Sequence, residues 1–271
     1  MVARDETSVP SWLQLVNTYR RLAKVQDLTE NPSWSAGALL HSQYMAQNNV
    51  IGHSEDPSLP FFTAEGDLSA RNSNVFLGFG TGDERTAIEG WVTGPFHGVG
   101  LLDPQLEQTG FGFFRTGNLW ASTLDVIRGI NTRSRPTGYP YAFPANGTTE
   151  PLTSYTGNEF PDPLTACPGY RAPAGLPIYL LLGTGSITPS VTAHSLTSGG
   201  QALDHCIYDE TNYVNPDAPI QDLARAILGS RDAIVIIPRQ QLVRGASYAV
   251  SVTANGTTTT WSFTVAATAG N

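Results

Sequence analysis

The chain has 271 residues, of which 40% are hydrophobic and 14% charged, and it carries a net charge of −8. That much apolar material excludes a disordered chain, and the length suits two domains rather than one core. With only 15 basic residues, Lys24 the single lysine among them, neither a nucleic-acid surface nor an electrostatic membrane anchor is expected. No apolar run reaches the roughly 20 residues that span a bilayer, and the N-terminus lacks a charged-then-apolar export signal, so a soluble chain is expected.

The first hundred residues read as helices separated by loops. Trp12, Leu15, Val16, Tyr19, Leu22 and Ala23 recur at three- and four-residue steps and predict a helix over about residues 11–24. Ser33 is the expected cap of a second helix that turns Ala36, Leu39, Leu40, Tyr44 and Met45 inward and fades at Asn48-Asn49. A third begins near Thr81 or Asp83, runs through Ala87, Ile88, Trp91 and Val92, and is stopped by Gly94-Pro95. His97 then sits just past the end of a helix, where an imidazole can face a cleft.

Beyond this point the period changes. Residues 109–115 and 119–127 alternate around Thr116-Gly117-Asn118 and predict a β-hairpin with a three-residue loop. From 129 to 175 the chain is rich in Pro, Gly, Thr and Tyr, and reads as a linker ordered in part by its aromatic residues and Cys167. Short strands follow at 178–182, 190–196, 202–208, 233–238 and 248–254. Asn255-Gly256 then marks a tight hairpin into 257–265, because both central residues of such a turn need positive φ. This spacing predicts an all-β immunoglobulin-like sandwich over 176–267. The Asn-Gly-Thr sequences at 146 and 255 formally match glycosylation acceptors but read better as turns.

Two cysteines, Cys167 and Cys206, fit one disulfide and favour an exported protein over a reduced one. Among the histidines, His41 on the second helix is expected to be a hydrogen-bonded core residue. His194 and His205 are expected to play strand-borne structural or surface roles. His53 and His97 could share one divalent ion or one proton, and they form the constellation with the most chemical content. A nucleophilic reading of Ser73 is set aside, since no Gly-x-Ser-x-Gly elbow surrounds it.

Val16-Asn17-Thr18-Tyr19-Arg20, Asn31-Pro32-Ser33-Trp34, Gly52-His53-Ser54, Asn72-Ser73-Asn74 and Trp91 through His97 occur in the order and spacing of the CAP superfamily, also called the SCP or cysteine-rich secretory protein domain. Over about residues 8–128 the chain resembles the bacterial branch of that family. The resemblance implies an α+β fold, an α-β-α sandwich with helices on both sides of a small antiparallel sheet. It also implies a central cavity flanked by two His and two Glu, whose His pair can bind zinc or another divalent cation. His53 and His97 match the two histidines. Ser73, followed by the retained Asn74, stands in place of the first Glu, and Gly94 in place of the second. Glu65 is the first choice for a replacement carboxylate, with Glu55 and Asp56 nearby. Glu89, two positions before Trp91, should point away from the tryptophan face.

The C-terminal strands resemble bacterial immunoglobulin-like modules of surface proteins, which implies contact with a cell-surface protein or carbohydrate. The expected function is therefore an extracellular or surface-displayed binding protein. Its ligand would be small, lipid-like or metal-assisted, held beside His53, His97, Glu65, Ser73 and Asn74. The alternatives are a metal-dependent extracellular hydrolase and a structural adhesion module.

Overall fold

The computed structural model of the protein describes residues 9–268; the expected domain start at residue 8 lies just outside them. In chain order the elements begin with α1 (Ser11–Leu22), β1 (Thr29–Glu30), α2 (Pro32–Asn48), α3 (Ala64–Ala70), β2 (Ser73–Phe79), α4 (Glu84–Thr93) and α5 (Pro95–Leu101). Then come β3 (Gln108–Thr109), β4 (Phe111–Thr116), β5 (Leu119–Asp125), β6 (Tyr141–Phe143), β7 (Thr149–Glu150), β8 (Ser154–Tyr155), a 3-10 turn at Pro163–Ala166, and β9 (Ala174–Gly175). The last are β10 (Ile178–Leu181), β11 (Val191–Ser198), β12 (Gln201–Ala202), β13 (His205–Tyr208), α6 (Ala218–Gly229), β14 (Ala233–Pro238), β15 (Ser247–Ala254) and β16 (Thr257–Val265).

Contacts divide the chain into two compact units. One holds the chain up to Arg21, Gln26–Glu89 and Pro104–Ser134; the other holds Leu22–Val25, Gly90–Asp103 and the chain from Arg135. The division differs from a single break after residue 128. Residues 90–103 make their partners far downstream: the Tyr179 hydroxyl donates to the Val92 carbonyl at 2.7 Å, and Arg231 pairs with Asp103 at 3.0 Å.

In the first unit β2, β5 and β4 form an antiparallel sheet in that order, and β1 pairs with β3 in parallel. Alternation puts Gly112 and Phe114 of β4 on one face, Phe111 and Phe113 on the other. α2 lies against the first face so closely that a Cβ on Gly112 would stand 2.2 Å from the Leu39 amide nitrogen. On the second, Trp12 of α1 stacks on Phe111 with centroids 5.2 Å apart.

This close approach turns α2 about its axis relative to expectation. Gly37, Ala38, His41, Ser42, Tyr44, Met45 and Ala46 are buried, while Ala36 and Leu39 face outward. Small residues line the contact because the sheet offers glycine there. Asn31, not Ser33, caps the helix: its side chain accepts from the Ser33 amide, with Pro32 inside the first turn. The hairpin joining β4 and β5 is shorter than expected, with Thr116 opposite Leu119 and only Gly117-Asn118 between them.

The second unit contains two larger sheets, ordered β13-β14-β10-β6 and β12-β11-β15-β16-β7. Neighbours are antiparallel except β7, which runs parallel to β16. Ile178, Leu180, Ile234 and Ile236 from one sheet and Leu196, Val250, Val252, Trp261 and Phe263 from the other share one core. Asn255-Gly256 closes the β15–β16 hairpin with φ of 50° and 76°, the two positive values its turn requires. Residues 129–175 are more ordered than their composition predicts. They supply β6 to β9, and Cys167 bonds to Cys206 across a sequence separation of 39.

Candidate functional site

α4 ends at Thr93, Gly94 is extended, and a new helix opens directly after it. Proline is well suited to the first position of a helix, since its missing N–H would have no partner, and Pro95 opens α5 directly. His97 therefore occupies the first turn of a new helix, rather than lying past the end of the old one. Gly94 is the residue before that helix and has no side chain to cap it.

The capping group comes from elsewhere in the sequence. Glu159 Oε1 accepts from the amide N–H of Phe96 at 2.7 Å, from that of His97 at 3.0 Å, and lies 2.9 Å from His97 Nδ1. Its carboxylate fills the space a side chain at position 94 would need: a Cβ built on Gly94 would stand 2.7 Å from Oε1 and 2.8 Å from Cδ. The acid that Gly94 lacks is thus supplied by a residue 62 positions after His97.

The Glu159 side chain is only 2% exposed, and that of His97 17%. Burial raises the Glu159 carboxyl above its usual range, against the opposing pull of His97 and the two amides. Its second oxygen, Oε2, is buried without a hydrogen-bond partner among the described residues. Glu159 also lines a cavity of about 440 Å³ whose wall includes Tyr155, Asp162, Thr165, Tyr170 and Arg171.

The other expected site residues lie in the first unit. His53 is exposed, its Nδ1 3.3 Å from the Ala70 carbonyl. Glu65 is exposed in the first turn of α3. Ser73 opens β2 and is buried; its Oγ has no partner among the described residues, so no base stands ready to activate it. Asn74 beside it is also buried. Glu89 accepts from the Tyr19 hydroxyl at 2.9 Å and pairs with Arg85.

Glu55, rather than Glu65, is the carboxylate that meets a histidine in this unit. His41 is fully buried, with Nδ1 3.0 Å from Glu55 Oε1 and Nε2 2.9 Å from the Gly52 carbonyl. In the second unit His194 Nδ1 lies 2.8 Å from His205 Nε2; burial, then the neighbouring His205, holds His194 below the usual imidazole range.

Zinc prefers three or four protein ligands. Among the described residues no three of His, Cys, Asp and Glu converge as a metal-binding group, and His97 already directs Nδ1 at Glu159.

Glu159 was not among the candidates drawn from sequence. The segment around it, Asn158-Glu159-Phe160-Pro161, has no periodicity, and its pairing is made wholly by tertiary structure. The available signal was indirect: an uncapped Gly-Pro helix start needs an acceptor from somewhere.

Comparison with known proteins finds a likeness to CAP/SCP domains over part of this chain. The CAP model, described as the cysteine-rich secretory protein family, matches residues 13–126. Among solved structures, the chain is 22% identical to an extracellular protein containing a SCP domain from Bacillus anthracis str. Ames. That match has a TM-score of 0.33 and covers 42% of this chain and 38% of the other. It is 17% identical to a cysteine-rich secretory protein from Staphylococcus aureus subsp. aureus Mu50, with a TM-score of 0.30 over 46% and 41% of the two chains. The chain thus spans about two fifths of the length of each of these structures. No curated protein matches it.

Proposed function

We propose that this protein is an extracellular binding protein whose small polar ligand contacts the His97–Glu159 pair and the cavity that Glu159 lines. The observation that carries this reading is the Glu159 carboxylate, which occupies the side-chain space of Gly94 and meets the His97 imidazole. A buried acid with a raised proton affinity beside an imidazole is a common mark of a functional site. Tyr, Asp, Thr and Arg around the cavity favour a ligand that makes hydrogen bonds over a lipid-like one. The disulfide supports export, because such bonds persist in oxidising compartments. No helix among the described residues is long and apolar enough to cross a membrane.

The first unit, with α1 and α2 against opposite faces of its sheet, supports the α-β-α reading. For the second unit we favour an immunoglobulin-like module that contacts a cell-surface protein or carbohydrate. Two facing sheets with one core support this, as does the division of the early strands β6 and β7 between them.

Ligand-observed NMR with sugars, amino acids and nucleosides, run on the whole chain and on Glu159→Gln and His97→Asn, tests the binding reading. Hits lost in both variants are expected; no hit with the unaltered protein would overturn it. A hydrolytic reading is favoured by one observation, the 2.9 Å contact between His97 Nδ1 and Glu159 Oε1, a pairing of the residue types that serve as general acid and base. It predicts turnover of a glycoside or peptide panel that disappears in Glu159→Gln.

A further inference from the structure

The first unit carries a cavity of about 410 Å³, lined by none of the residues of the proposed function. Its apolar wall is formed by Trp12, Phe111 and Phe113, with Leu39 from α2. Trp12 and Phe111 stack nearly parallel, 22° between planes, and Leu39 is 44% exposed, an unusual position for a leucine beside two tucked aromatic rings. Two acids, Glu30 and Glu84, complete the lining.

Glu30 accepts from the Ser35 hydroxyl at 2.6 Å and Glu84 from the Ser11 hydroxyl at 3.4 Å, and neither forms an ion pair with another described residue. Both are half-buried. Ser35 in turn accepts from the Phe111 amide at 3.2 Å, so Glu30 is held against the aromatic wall through a chain of hydrogen bonds. The aromatic surface already accommodates one cation: the Arg115 guanidinium lies 5.8 Å from the Phe113 ring centroid while bonding the Gly80 and Gly82 carbonyls.

Aromatic faces and carboxylates select the same ligand by different means. The ring quadrupole attracts a cation without demanding directional hydrogen bonds, and the carboxylates add charge at the rim. An apolar wall additionally rewards methyl or methylene groups around that cation. We propose that this cavity binds an alkylammonium group, a positively charged nitrogen carried on carbon, as in a quaternary ammonium or the end of a lysine side chain.

The test uses the whole chain and three probes: choline, N-acetyl-lysine methylamide, and 3,3-dimethylbutanol, the neutral carbon counterpart of choline. Saturation-transfer NMR or calorimetry should show one of the two cations binding about tenfold or more tightly than the neutral alcohol. The tighter cation identifies the source, a small ammonium compound or a basic peptide. Glu30→Gln with Glu84→Gln, which keeps the acceptor oxygens and hence the contacts to Ser35 and Ser11, should weaken that binding about tenfold. Raising the salt should weaken it further. Binding of neither cation more tightly than the neutral alcohol, or full affinity in the double variant, would overturn the proposal. Circular dichroism of the double variant separates lost binding from lost fold.

Discussion

Placing a methyl group at position 94 should unfold the protein more easily, and removing Glu159 should cancel that effect. Gly94 has φ −88° and ψ 114°, a region alanine adopts freely, so the backbone itself offers no objection. The cost arises because the new Cβ would stand 2.7 Å from Glu159 Oε1. The carboxylate must move, and with it go its three contacts with Phe96 and His97 at 2.7, 3.0 and 2.9 Å. At about 1 kcal/mol each, less a gain of roughly 0.5 from replacing glycine, Gly94→Ala should cost about 2 to 3 kcal/mol. In a chain of this size that lowers the melting temperature by about 5 to 10 °C. Glu159→Ala alone should cost a similar amount. Combined, the two should cost little more than either, because the Cβ enters the space that the carboxylate leaves. The double-mutant cycle, followed by thermal unfolding, should therefore give a coupling of about 2 kcal/mol. Costs that add to within about 0.5 kcal/mol would refute the reasoning.

Glu159→Gln should change how stability depends on pH. Because the folded-state proton affinity of Glu159 is raised by burial, its contribution is full below the usual glutamate range and is lost as pH climbs through the raised value. Urea midpoints of Glu159→Gln should therefore fall less over that interval than those of the unaltered protein. His41→Ala should be severe, at about 3 to 5 kcal/mol, because it strands the fully buried Glu55 carboxyl; chemical denaturation reads it. Reducing the Cys167–Cys206 bond, which closes a separation of 39 residues, should cost about 4 kcal/mol in the chain-entropy picture. A scan with and without reductant measures the difference.

What could be read from the sequence was local. Asn255-Gly256 announced its hairpin because two adjacent residues set the geometry, and the Trp12 to Tyr19 spacing announced α1 because a helix writes its period into its own sequence. Gly94-Pro95 was legible as an interruption, yet the same two residues also begin a helix, and only the chain ahead decides between the readings. The buried face of α2 was misjudged because Gly112, on a different element, permits the backbone contact that brings Ala38 inward. Glu159 was out of reach for a stronger reason. Its role depends on a space at Gly94 and a donor at His97, and nothing in residues 155–165 refers to either. His53, by contrast, was identified from a motif, and its exposure could be learned only from the structure.

The debt that α5 owes to Glu159 bears on inheritance. Residues 13–126 carry the recognisable signature, and a scan along those positions would score the acid as lost. A gene fragment ending at the signature's border would encode His97 with its two amides uncapped and its imidazole without a carboxylate. Exchanging the chain beyond that border for another module would leave the helix upstream without its cap. Glycine is in turn favoured at position 94 for as long as position 159 stays acidic, so the two should drift together across descendants.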